Sequence, residues 1–163
     1  MSDTTSLYPL HVFRFQVEFQ RDPLPNSGDT APVAVSAAFA ECTGLEATME
    51  PKVIKEGGRN YGVAQRSGPV TFATVILKRG MTSNQDLWAW FDLVANGAYA
   101  HRRSATITLF DISGQGVLAW KLEKALPIKF KAADLNAKGS DVGVEELHLA
   151  HEGFSLVTAG GQL

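Results

Sequence analysis

Residues 11–20 read HVFRFQVEFQ, with Phe13, Phe15, Val17 and Phe19 alternating with Arg14, Gln16, Glu18 and Gln20. Successive side chains of a strand point to opposite faces, so a strict period of two predicts a strand with one apolar and one polar face. A sheet built from such strands needs something to cover its apolar side, and the rest of the chain supplies more of the same. In 104–111 (SATITLFD), Ala105, Ile107 and Leu109 share a face, while Ser104, Thr106 and Thr108 share the other and suit a wet surface. In 117–123 (VLAWKLE), Leu118, Trp120 and Leu122 do likewise, and the compact Ser113-Gly114-Gln115-Gly116 turn joins the two as a hairpin.

Shorter elements fill the gaps. Ala37 to Cys42 reads as a strand, and Thr43-Gly44 turns the chain into Leu45, Ala47 and Met49, which alternate with Glu46, Thr48 and Glu50. Pro51 has no amide donor and marks an edge or a bulge. Val70 to Arg79 is apolar on both faces and reads as one central strand. Lys124 to Leu135 reads as a short, proline-interrupted stretch. Val144 to His151 fits a helix by propensity or a strand with a bulge near Glu145-Glu146, with the strand preferred. Three polar stretches, 21–35, 55–67 and 136–143, read as loops. The first is exposed and mobile by composition, as are the ends 1–7 and 158–163.

One segment has helical spacing. In 82–95, Leu87, Trp90, Phe91 and Val94 form an apolar stripe, Thr82 or Ser83 is placed to cap, Asp86 sits near the positive end, and Asn96-Gly97 supplies the stop. The whole is seven or eight short strands and one helix. That is a mainly β sandwich or barrel with a flanking helix, in a single domain over 1–163.

Composition narrows the function classes. A net charge of −2 with no basic block disfavours tight nucleic-acid binding. Cys42 is the single cysteine, which rules out an internal disulfide and suits folding in a reducing cytoplasm. The polar segment Met1 to Leu10 lacks a signal core, and no apolar run is long enough for a membrane anchor.

Catalytic patterns do not emerge, and a non-enzyme is expected. His148 and His151 are three apart, which on a strand sends them to opposite faces, away from a shared metal; on a helix they could share one with Glu145, though a zinc site needs three or four ligands and Cys42 is distant in sequence. Cys42 reads as a small buried packing residue and not a nucleophile. Gly57-Gly58 lacks the Lys-Ser/Thr ending and helix of a phosphate cradle. No cofactor or metal is expected.

Four ordered stretches carry a family resemblance. They are Tyr8-Pro9-Leu10 with 13–17 (FRFQV); 39–45 (FAECTGL) with Glu50 and Glu56-Gly57-Gly58-Arg59-Asn60; Leu77-Lys78-Arg79-Gly80 with Leu87 and Trp90; and Trp120, Ala125-Leu126-Pro127 with Val144-Glu145-Glu146-Leu147. Together, from about residue 8 to 157, they resemble the tail tube protein family of contractile phage tails and contractile injection systems. The resemblance implies two packed antiparallel β-sheets with one flanking helix, as in the type VI secretion ring protein. It implies hexameric rings that stack into a tube inside a sheath, with sheath and baseplate proteins as partners and DNA or effector cargo in the lumen. It also implies assembly in the bacterial cytoplasm into a phage tail or phage-like particle. The 47–67 stretch is expected to be an arm to a neighbouring subunit or ring, with Glu56, Gly57, Gly58, Arg59, Asn60 and Tyr61 as contact residues. Both a trunk subunit and a tube initiator at the baseplate end fit.

Overall fold

The computed structural model describes residues 10–12, 14–21, 35–97 and 102–158. Phe13, the interior of the first loop (22–34), His101 and the ends 1–7 and 159–163 lie outside the described residues. Within them the chain forms β1 (Phe15–Arg21), β2 (Val35–Ala37), β3 (Glu41–Thr43), β4 (Ala47–Met49), β5 (Lys52–Ile54), β6 (Ala64–Arg66), β7 (Val70–Phe72), β8 (Val75–Gly80), α1 (Asp86–Ala95), β9 (Arg103–Phe110), β10 (Gly116–Lys131), β11 (Val144–Ala150) and β12 (Gly153–Thr158).

The sixteen-residue β10 organises the rest. Its first half pairs with β9 on one side and β12 on the other, and its second half pairs with β11. Leu118 lies opposite Thr158, Glu123 opposite Gly153 and Leu126 opposite Ala150, so β12 and β11 run end to end along one edge of β10. Two antiparallel sheets therefore share this ribbon. One runs β2-β1-β9-β10-β12 and the other β10-β11-β8-β3.

The bend between them is local to Lys124. The register of β10 against β9 slips between Leu122 and Ala125, and Lys124 takes a positive φ of 51° there. A bulge of this kind turns a strand out of its sheet. An L-residue in the left-handed region costs roughly 1–2 kcal/mol, most for a branched side chain. Lys124→Val is expected to lower stability by about that amount in urea unfolding, while Lys124→Gly stays within about 0.5 kcal/mol of the parent.

The apolar faces meet in one core. Val17 and Phe19 of β1, Ala105 and Ile107 of β9 and Leu122 of β10 pack with Val75 and Leu77 of β8, Leu147 and Leu149 of β11, and Leu87, Trp90 and Val94 of α1. Trp90 lies with its ring centroid 5.3 Å from that of Phe19. The stripe expected on the helix is the buried one, with Phe91 half-buried beside it.

Several expectations are corrected. The described residues hold twelve strands, more than the expected seven or eight. The 70–79 segment is two strands, because Ala73-Thr74 leaves one sheet and enters another. The 37–42 segment likewise divides into β2 and β3, which pair with different strands. β10 continues through Pro127, which sits where the register against β11 shifts and where β10 has passed the end of β9, so no ladder bond is lost to its missing donor. The helix starts at Asp86 because Thr82 and Asn84 bind nearby amides instead: Thr82 Oγ1 accepts the Asn84 N–H (3.3 Å) and Asn84 Oδ1 the Asp86 N–H (3.1 Å). Residues 144–150 form a strand in unbroken register with β8, without a bulge at Glu145-Glu146. Thr158, placed in the flexible end, is the last residue of β12.

Candidate assembly interface

The stretch read as 45–50 plus a flexible loop is a β-ribbon. Ala47, Thr48 and Met49 pair with Phe72, Thr71 and Val70; farther out, Lys52, Val53 and Ile54 pair with Arg66, Gln65 and Ala64. Both ladders are two-stranded sheets of their own, separate from the body. At about 3.3 Å per residue, the run from Ala47 to Ile54 extends about 25 Å. Between the ladders the outgoing strand spends Glu50 and Pro51 and the returning strand Ser67, Gly68 and Pro69, a one-residue bulge. Gly68 is required there, since a Cβ on it would lie 1.9 Å from the Glu50 carbonyl oxygen.

The tip is formed by 55–63. Arg59 ion-pairs with Glu56 at 3.4 Å, and its amide bonds the Glu56 carbonyl at 3.4 Å. Glu56, Gly57, Gly58, Arg59, Asn60 and Tyr61 are all exposed, so the structure brings all six expected contact residues together at one end of the ribbon. Tyr61 is 94% exposed. Met49, Val53, Ile54, Val63 and Val70 are exposed along the ribbon as well. Among the described residues these side chains lie on a two-stranded ribbon that no other strand pairs with.

The root of the arm is tightly built. Gly44 has φ 87°, and a Cβ on it would lie 2.0 Å from the Thr74 carbonyl oxygen. The Ala73 amide bonds the Glu46 carbonyl at 3.1 Å. Phe72 lies against His151, with ring centroids 5.2 Å apart.

Two further surfaces suit assembly. The face of β1, β9 and β10 opposite the core carries Gln16 beside Thr108, and Glu18 beside Thr106 beside Lys121. Thr106 and Thr108 are half-exposed on it as expected of a wet wall, while Ser104 is buried. The second surface is the outer edges: among the described residues, β12 has a partner only on its β10 side and β2 only on its β1 side, and Leu156 of β12 is exposed. Unpaired edges are templates for another chain.

Sequence reasoning missed a buried ion cluster. Arg79 of β8 and Glu145 of β11 face each other across the ladder, both buried, and the Arg79 Nε–H donates to Glu145. The same guanidinium donates to Asp86 Oδ1 at 2.8 Å and to the Asn84 carbonyl at 3.2 Å. Burial pulls the guanidinium down, but its hydrogen bonds to Asp86 and Glu145 outweigh this and hold it above its usual value. The cluster ties the start of α1 to the sheet. Its signal in the sequence was Glu145 itself, an acid at an inward position of an alternating strand.

The other candidate residues have structural surroundings. His148 is within 3.3 Å of a Glu146 oxygen. His151 Nδ1 bonds the Gly153 carbonyl at 2.9 Å. Cys42 packs against the core, and burial pushes its thiol up to about 11, so it stays protonated. Among the described residues, no helix is long and apolar enough to cross a membrane.

Comparison with known proteins places this geometry. No curated protein matches the sequence. Among solved structures, a chain of the anti-feeding prophage baseplate, six-fold symmetrised, is 25% identical with a TM-score of 0.78, covering 94% of this chain and 98% of that one. A chain of the PVC extracellular contractile injection system sheath–tube complex in the extended state is 20% identical with a TM-score of 0.73, covering 94% of each. A type six secretion system protein shares the fold at 9% identity and a TM-score of 0.54, covering 88% of this chain and 83% of that one. A family model described as T4-like virus tail tube protein gp19 matches residues 11–155, nearly the whole described chain. By that match, which spans most of its length, this chain belongs to the T4-like virus tail tube protein family.

Proposed function

We propose that the chain is a structural subunit of the inner tube of a contractile particle, a phage tail or a phage-like injection system, and that it works by assembly and not by catalysis. Six copies close a ring, and rings stack into a tube inside a sheath. The observation that carries this is the self-paired arm of 47–72, whose exposed apolar side chains lie on a ribbon that no other described strand pairs with. The reading gives each remaining surface a role. The outer edges of β2 and β12 are two different surfaces, as a head-to-tail ring contact requires. The Gln, Thr, Glu and Lys face of β1, β9 and β10 becomes the wall of a lumen through which DNA or an effector passes. The six tip residues, Glu56 to Tyr61, make the contact with a neighbouring subunit or ring. Assembly takes place in the bacterial cytoplasm.

Shortening the arm tests this directly. With 50–68 replaced by a two-residue turn, the protein is expected to keep its far-ultraviolet circular dichroism and its thermal midpoint while forming no tubes in negative-stain images. Normal tubes from that variant overturn the role of the arm.

A second reading, a first-ring protein at the baseplate end, is favoured by the likeness to the anti-feeding prophage baseplate chain. Copy number in purified particles separates the two. A trunk subunit is present in copies comparable to the sheath protein, and an initiator in one or a few rings.

A further inference from the structure

The arm and the body are joined by few contacts, so something must fix the direction in which the arm leaves. We propose that His151 is the positioning residue that sets this direction, by holding its ring against Phe72 at the arm's root. The inference rests on the reading that the arm makes the contacts between subunits or rings.

Three observations converge on His151. It occupies the joint between β11 and β12, at the seam of the two sheets, where the amide of Glu152 bonds the Glu123 carbonyl at 3.0 Å. Its ring contacts Phe72, the last residue of the arm's returning strand, at 5.2 Å and a 42° tilt, and it contacts Phe154 of β12 at 6.4 Å. Its plane is set by the Nδ1 bond to the Gly153 carbonyl at 2.9 Å. A carbonyl oxygen only accepts, so Nδ1 donates in this bond.

Nε2 is buried and has no hydrogen-bond partner among the described residues. An unpaired buried polar atom is unfavourable, and a site selected for packing alone is better served by phenylalanine. What the imidazole adds is the Nδ1 bond, which ties the ring to the β11–β12 joint. The ring then stops Phe72, and through the Ala47–Phe72 pairing it stops the whole inner ladder of the arm. The joint itself is braced, since the Glu152 carboxylate binds Arg102 and, at 3.4 Å, Lys124.

The test uses three full-length variants, His151→Ala, His151→Phe and Phe72→Ala. His151→Ala and Phe72→Ala are expected to retain circular dichroism and ring formation but to lower tube yield at fixed protein concentration roughly tenfold, the scale of one lost aromatic contact. His151→Phe keeps a ring against Phe72 but loses the Nδ1 bond that holds it, and is expected to recover only part of the yield, to about threefold below the parent. A purely structural role would lower thermal stability and tube yield together, and phenylalanine would not separate them. Wild-type yield from His151→Ala or from His151→Phe, or a His151→Phe as poor as His151→Ala, overturns the proposal. If the parent protein itself forms no tubes, the assembly reading fails. The latch is then still decided by spin-label distances between cysteines at Asn60 and Lys138 in a Cys42→Ser background. These are expected to broaden in His151→Ala relative to the parent, and an unchanged distribution overturns the latch.

Discussion

Replacing Arg79 with methionine is expected to remove about 3–5 kcal/mol of folding free energy, measured by urea unfolding at neutral pH. The reason is what the substitution leaves behind. Glu145 is buried opposite Arg79 on the neighbouring strand, and Asp86 presents one oxygen to the same guanidinium at 2.8 Å. Its other oxygen, Asp86 Oδ2, is already buried without a hydrogen-bond partner. Without Arg79, the buried Glu145 carboxylate and the half-buried Asp86 carboxylate are left with no cation between them, and the desolvation of Glu145 is then uncompensated. The first turn of α1 loses its tether as well, because the Asn84 carbonyl is bound by the same side chain. The intact pair does not carry a comparable net gain over an apolar replacement. A triple variant, Arg79→Met with Asp86→Asn and Glu145→Leu, is therefore expected to recover most of the loss. A single variant destabilised by less than about 1 kcal/mol would show that water reaches the cluster and screens it.

Gly44→Ala is expected to cost about 3 kcal/mol and to move the root of the arm. A φ of 87° is unfavourable for any L-residue by roughly 1–2 kcal/mol. The added methyl would also stand 2.0 Å from the Thr74 carbonyl oxygen, which is backbone and cannot rotate away. The Thr74 peptide must shift, and it joins the arm's returning strand to the core residue Val75. The total lies toward the upper end of single-substitution effects. Chemical unfolding gives the energy, and hydrogen exchange gives the place, with protection lost first at Ala73 and in the β4–β7 ladder. Gly68→Ala makes a comparable clash with the Glu50 carbonyl, but within the arm. It is expected to loosen the outer ribbon and leave the stability of the body unchanged, which distinguishes the root from the arm proper.

Much of the sheet was legible because burial on one face leaves a period of two in the residues themselves. Phe15 to Gln20 and Ala105 to Leu109 were placed on the correct faces, as were Trp120 and Leu122 but not Leu118, which is half-exposed beside a buried Ala119, and Leu87, Trp90 and Val94 lie on the inward stripe of α1. Harder were the segments whose neighbours are distant in the chain. Val70 to Phe72 and Val75 to Gly80 form one continuous β-rich run, yet the first half belongs to the arm and the second to the body. Periodicity records which side of a strand is apolar and carries no record of the strand it pairs with. The arm was expected as an extended reach, on a resemblance, but its ribbon form was hidden. Lys52 to Ile54 are exposed on both faces, Ala64 to Arg66 are exposed but for a half-buried Ala64, and neither shows an alternation to read.

What the residues alone determined is the class of the fold, the helix and its buried stripe, the position of Cys42 as a packed thiol, and the turn at Gly44. These follow from local backbone preference and from the need to hide apolar side chains, which act over a few residues. Only the tertiary structure decided that β10 runs through Pro127 and serves two sheets, that Arg79 is the partner of Glu145, and that His151 lies against the arm's root. Each depends on partners 66 to 79 residues away in the chain in the last two cases, and the energy of such a contact exists only once the chain has closed on itself.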